Sequence, residues 1–169
     1  IKKEDFQRVF LMLLMPIIAQ AVYLLFYTPS LSQNLINFSG NYAATGGFGP
    51  NQISTVMGLA VFLLTTRLFT ISNIKINLID SILLLVVGYR GVVSFSRGGI
   101  LTAIVCIISF LIFFFWNDQG KSKQNSNIKI LGVLVIFTTV WAYTSLETNG
   151  LIDNRYSNKN ALGQVEDDI

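Results

Sequence analysis

The chain has 169 residues, 52% of them apolar and only 12% charged, with a formal net charge of +3 and a mean hydropathy of +0.58. A soluble domain carries about a quarter charged residues, so this composition excludes an ordinary water-soluble enzyme and points to an all-α, polytopic membrane bundle. Its cations are scattered at the ends of apolar runs, which argues against a nucleic-acid surface; histidine is absent and Cys106 stands alone, which excludes an imidazole base, a disulfide or a His/Cys metal centre.

Lys2, Lys3 and Arg8 precede the first apolar run, 9–27, which is long enough to span a bilayer. Its exit T-P-S-L-S lacks a small-x-small cleavage pattern, so a retained helix is expected rather than a signal peptide. Pro16 is expected to kink it, and Gln20 to face another helix or a substrate. Residues 28–51 read as an external loop or re-entrant element, with polar turns at Ser32-Gln33-Asn34 and Ser39-Gly40-Asn41 before a glycine-rich approach, Gly46-Gly47-Phe48-Gly49. Pro50 suits the first turn of a helix over 52–69, which puts Asn51 and Gln52 at a helix N-terminus. That end either binds an anion or is a plain glycine-rich entry turn. It is not a nucleotide P-loop, because the Lys-Ser/Thr ending is missing and no strand precedes it.

A third span is expected over 76–93, with Asp80 near its start and Arg90 near its end. The two lie about 15 Å apart along a straight helix, so each needs a different partner. After Ser94-Phe95-Ser96-Arg97-Gly98-Gly99 come a fourth span over 99–116, a polar hairpin and a fifth span over 128–146, with Trp141 and Tyr143 as an interfacial belt. Residues 147–169 read as the start of an external polar loop, with a turn at Asn149-Gly150. The charged start and the acidic end are those expected of a piece of a longer protein whose remaining helices would pack on these five.

Five crossings put Lys2, Lys3, Arg8, Arg67, Lys75, Lys121, Lys123 and Lys129 on one side and Arg90, Arg97, Arg155 and Lys159 on the other. The positive-inside rule assigns the larger set to the cytoplasm. Asn51, Gln52, Arg90, Arg97 and the loop residue Arg155 are then expected on the external face. Guanidinium groups within a membrane protein need an anionic partner or water, and their planar fork matches phosphate oxygens. Glycines beside them would let a bulky headgroup approach the backbone. The ligand class expected is a lipid-linked phosphate or pyrophosphate.

The stretches N-Y-A-A-T-G-G-F-G-P-N-Q-I-S (41–54) and S-F-S-R-G-G-I-L-T-A (94–103) resemble the O-antigen ligase and polymerase-like family. Its members carry an asparagine turn entering one membrane helix and a serine-arginine-glycine turn opening a later one. The family asparagine falls on Asn51 and the family arginine on Arg97; the tail N-R-Y-S-N (154–158) looks like the beginning of the large external loop. The resemblance implies a metal-independent, cofactor-free glycosyltransferase of the bacterial cytoplasmic membrane, with about a dozen helices. It would transfer a glycan from an undecaprenyl-pyrophosphate carrier to a glycan or lipid acceptor on the periplasmic face. Arg97 would be catalytic, neutralising the pyrophosphate leaving group, with Asn51, Gln52 and Arg90 binding substrate beside it. Family members place a second arginine and often a histidine in the external loop; no histidine is present and Arg155 does not fill that place. Two other readings stand beside this one: a transporter or channel for an anionic solute or lipid, with a broken helix around Gly46 to Asn51, and a noncatalytic subunit whose arginines pair with a partner.

Overall fold

The computed structural model describes residues 3–28, 43–117, 123–157 and 159. The polar turns at 32–34 and 39–41, Lys2, Lys121 and the tail beyond Lys159 lie outside the described residues. Five long helices follow one another: α1 (Lys3–Tyr27), α2 (Pro50–Thr70), α3 (Ile74–Val93), α4 (Arg97–Asn117) and α5 (Lys123–Glu147), then the short α6 (Leu151–Tyr156). All five are long and apolar enough to cross a membrane. The chain is a multi-span, all-α membrane bundle.

Each helix begins earlier than its apolar run, most clearly α1 at Lys3 rather than 9 and α5 at Lys123 rather than 128. Hydropathy marks only the bilayer-embedded part of a helix, whereas backbone hydrogen bonding continues into the interface. The helix α1 also runs on through Pro16. Gln20 and Pro16 line a recess beneath the glycine turn, with Tyr23, Gly46 and Phe48.

Helix α2 is the axis of the assembly. Of its most apolar stretch 72% is buried, against 22% for α1, 22% for α4 and 17% for α5. It packs most extensively on α4 and α3; α5 lies against α3, and α1 against α2 and α3. The core seam runs through Leu14, Met57, Leu64, Leu84 and Val87. The outer faces of α1, α4 and α5 remain apolar and exposed, as at Met12, Val105, Phe113 and Leu131. Cys106 belongs to that outward surface.

Antiparallel succession fixes what meets at each end. The start of α2, the end of α3, the start of α4, the end of α5 and α6 share one end, together with Thr28 after α1. Arg67 near the end of α2, Lys75 at the start of α3 and Lys129 early in α5 share the other.

Candidate functional site

The α3–α4 connection takes only three residues, Ser94 to Ser96. Ser94 donates its hydroxyl to the Gly91 carbonyl at 2.7 Å, and Phe95 adopts a left-handed backbone (φ 58°). Such a conformation is disfavoured for a bulky L-residue; complete burial of the Phe95 ring holds it in place. This reversal delivers Ser96 and Arg97 to the start of α2.

There the two stretches singled out in the sequence join. The Ser96 hydroxyl donates to Asn51 Oδ1 at 2.7 Å, and the buried Ser54 hydroxyl donates to the Ser96 carbonyl at 2.8 Å. The helices touch backbone to backbone: a Cβ added to Gly58 would strike the Gly99 carbonyl, and one added to Gly99 would strike the Ser54 carbonyl. Only glycine permits this approach. Pro50 opens α2, as expected, and Gln52 turns back so that its Oε1 accepts the Gly49 N–H at 3.4 Å. Asn51 thus joins the two helix starts, while Gln52 serves the start of its own helix.

Arg97 is the first residue of α4 and half-buried. It shares its surroundings with Tyr156, which also feels Arg155. Arg155 stands on α6, where its Nε donates a long hydrogen bond of 3.5 Å to the Phe95 carbonyl. The Tyr156 hydroxyl is buried without a partner. Burial raises its pKa to about 12, while Arg97 and Arg155 pull in the opposite direction. Helix α6 is held on α5 by Asp153, which accepts from Trp141 Nε1 at 2.8 Å and from the Ser145 hydroxyl. Ile152 is fully buried beneath it. The turn expected at Asn149-Gly150 is present before α6, and both residues adopt left-handed backbone.

Arg90 is 7% exposed and engaged with the protein's own groups. Its Nη1 donates to Thr28 Oγ1 at 3.0 Å, its guanidinium lies 5.5 Å from the Tyr89 ring centre, and its Nε is buried without a partner. The Tyr89 hydroxyl donates to Glu147 at 2.8 Å, which brings that carboxylate within electrostatic reach of Arg90. Glu147 at the end of α5 is an anionic neighbour that reading along the chain did not assign.

Below Arg97 the helices part. An apolar cleft of about 130 Å³ runs between α3, α4 and α5, with Gly88 and Val92 on one wall, Ile100 and Ile104 on another, and Trp141 and Tyr156 at the site end. Arg97 opens α4 one turn before Ile100, which lines this apolar cleft. Among the described residues, no group of three carboxylates or thiols comes together to hold a metal ion.

Asp80 and Arg90 have separate partners, as expected for two residues so far apart on one helix; what the sequence left unassigned is the partner of Asp80. Asp80 forms a buried, two-pronged ion pair with Arg67, Nε to Oδ2 at 3.1 Å and Nη2 to Oδ1 at 3.4 Å. The three-residue link between α2 and α3 supplied the missed signal. Arg67 lies roughly 4.5 Å inside the end of α2 and Asp80 roughly 9 Å inside the start of α3, a difference that an arginine side chain bridges. Tyr156, too, carried no sequence signal beyond its adjacency to Arg155. No family model, curated protein or solved structure matches the chain.

Proposed function

We propose that the chain is the core of a membrane glycosyltransferase of the O-antigen ligase and polymerase type. It takes a polyprenyl-pyrophosphate-linked glycan as donor and passes the sugar to an acceptor hydroxyl. The observation that carries this reading is the Ser96 to Asn51 hydrogen bond, which unites the two stretches that resemble the family at one helix-to-helix contact. Arg97 opens α4 beside that contact, above a cleft able to take part of an isoprenoid tail.

In such a transfer the acceptor oxygen forms a bond to the anomeric carbon as the bond to the pyrophosphate oxygen breaks, and the acceptor hydroxyl's proton ends on the departing pyrophosphate or in water. Negative charge grows on the departing pyrophosphate. Arg97 would stabilise it by paired, charge-assisted hydrogen bonds. The Tyr156 hydroxyl, a buried donor without a protein partner, lies beside the same charge.

Arg97→Ala in the intact protein is expected to lower transfer by about 100-fold or more, the scale for losing one such charge-stabilising group, with protein abundance unchanged and carrier-linked glycan accumulating. Arg97→Lys keeps the charge but loses the fork and is expected to remain impaired. Transfer at the wild-type rate by Arg97→Ala, measured as polysaccharide released from the carrier, would refute the assignment.

A further inference from the structure

The end of the bundle opposite Arg97 holds a second recess, built differently from the first. Helix α2 ends at Thr70, the extended link Ile71 to Asn73 crosses to α3, and the apolar part of α5 begins at Asn127. Between them lies a cavity of about 390 Å³ at the edge of the membrane-spanning region. Its floor is apolar, with Phe69 and Val133, and its rim carries Ser72, Asn77, Ser81 and Lys129.

Three features make this rim a site rather than a gap. Asn77 Oδ1 is buried and accepts no hydrogen bond, a costly state for an amide oxygen unless a donor arrives. The adjacent Ser81 hydroxyl cannot supply one, since it donates to the Asn77 backbone carbonyl at 2.8 Å. Lys129 donates to the Ile71 carbonyl at 3.0 Å, which fixes its positive charge at the recess. Gly132, in the wall, has nothing within 4 Å of the position a Cβ would take. The space therefore continues along the face of α5.

An occupant suited to this recess brings a hydroxyl donor to Asn77, an apolar portion for the floor and a negative charge complementary to Lys129, which keeps its bond to Ile71. A phospholipid with a glycerol headgroup has all three. Its acyl chains would continue over Leu78, Ile82 and Leu131, which are exposed on α3 and α5. Phosphatidylcholine lacks both the headgroup donor and the net charge, and a free phosphate ester lacks the chains. We infer that this recess binds one anionic glycerophospholipid, its glycerol hydroxyl donating to Asn77 and its phosphate facing Lys129.

The test is native mass spectrometry of the intact, delipidated protein after addition of phosphatidylglycerol or phosphatidylcholine. One phosphatidylglycerol should be retained about fivefold better than phosphatidylcholine, the scale for one basic side chain beside an anionic headgroup. Lys129→Gln should reduce that preference to less than about twofold. Gly132→Leu places an apolar side chain in the open space of the recess wall and should abolish retention of the single lipid; its thermal unfolding checks that the bundle remains intact. Equal retention of the two lipids by the wild type overturns the inference, as does full preference in Lys129→Gln. Displacement of the lipid by glycerol 3-phosphate as efficiently as by phosphatidylglycerol also overturns it, because the site would then serve a soluble ester.

Discussion

Tyr156 shows how much one side chain can report. Its hydroxyl is buried between the influence of two guanidinium groups yet has no hydrogen-bond partner. Replacing a hydroxyl that bonds to nothing removes no native interaction, so Tyr156→Phe is expected to leave stability at neutral pH unchanged within about 1 kcal/mol. The alkaline limb should differ. Tyrosine in the unfolded chain loses its proton near its ordinary value of 10.0, whereas folded Tyr156 holds its proton to about 12. Between those values the folded state binds more protons, and stability falls as pH rises. Thermal unfolding in detergent from pH 9 to 12 should show a shallower loss in Tyr156→Phe than in the wild type; equal slopes would show that the hydroxyl is not held protonated by the fold. If the same variant also slows the proposed glycan transfer, the hydroxyl serves the ligand and not the bundle. Asn51 and Arg97 could be picked out along the chain because glycine and proline punctuate their helix starts. Tyr156 could not, because only the docking of α6 makes it a neighbour of Arg97.

At the level of elements, the charged residues of α2 and α3 divide into two kinds. Arg67 and Asp80 satisfy one another, with side chains 6% and 4% exposed. Removing one partner strands a charge at membrane depth, so Arg67→Ala or Asp80→Ala should each cost about 3 kcal/mol or more. The apolar double variant Arg67→Met/Asp80→Leu should recover most of that loss. Unfolding of the purified protein measures both, and single variants as stable as the wild type would show the pair to be dispensable. Spans and their order were legible, since long apolar runs leave few alternatives in a membrane. The pairing of Arg67 with Asp80 was legible only in part: the short link puts the two within reach, but whether they meet depends on how the two helices rotate about it. Glu147 gave no such sign, since it comes near Arg90 only through the Tyr89 hydroxyl.

Across the whole molecule, the buried α2 and the exposed α1, α4 and α5 describe a bundle with much apolar surface for lipid or further helices. The two ends of the bundle separate the cations, with Arg90, Arg97 and Arg155 at one and Arg67, Lys75 and Lys129 at the other. The positive-inside rule gives these ends their expected compartments. Gly98 is exposed and open around its Cβ, and Ser72 is exposed at the opposite end. In a Cys106→Ser background, Gly98→Cys is expected to react with a membrane-impermeant maleimide on intact cells, and Ser72→Cys only after permeabilisation. The reverse pattern would put the Arg97 end in the cytosol and remove periplasmic transfer from consideration.

The glycine contact between α2 and α4 bears on how tightly any ligand is held. With carbonyls rather than side chains at the crossing, these helix openings have no flexible cushion through which to slide or rock. The freedom they lack was lost when the chain folded and is not lost again on binding. On the proposed function, an anion arriving there would meet a surface already set in its final shape, so its affinity should owe little to induced ordering.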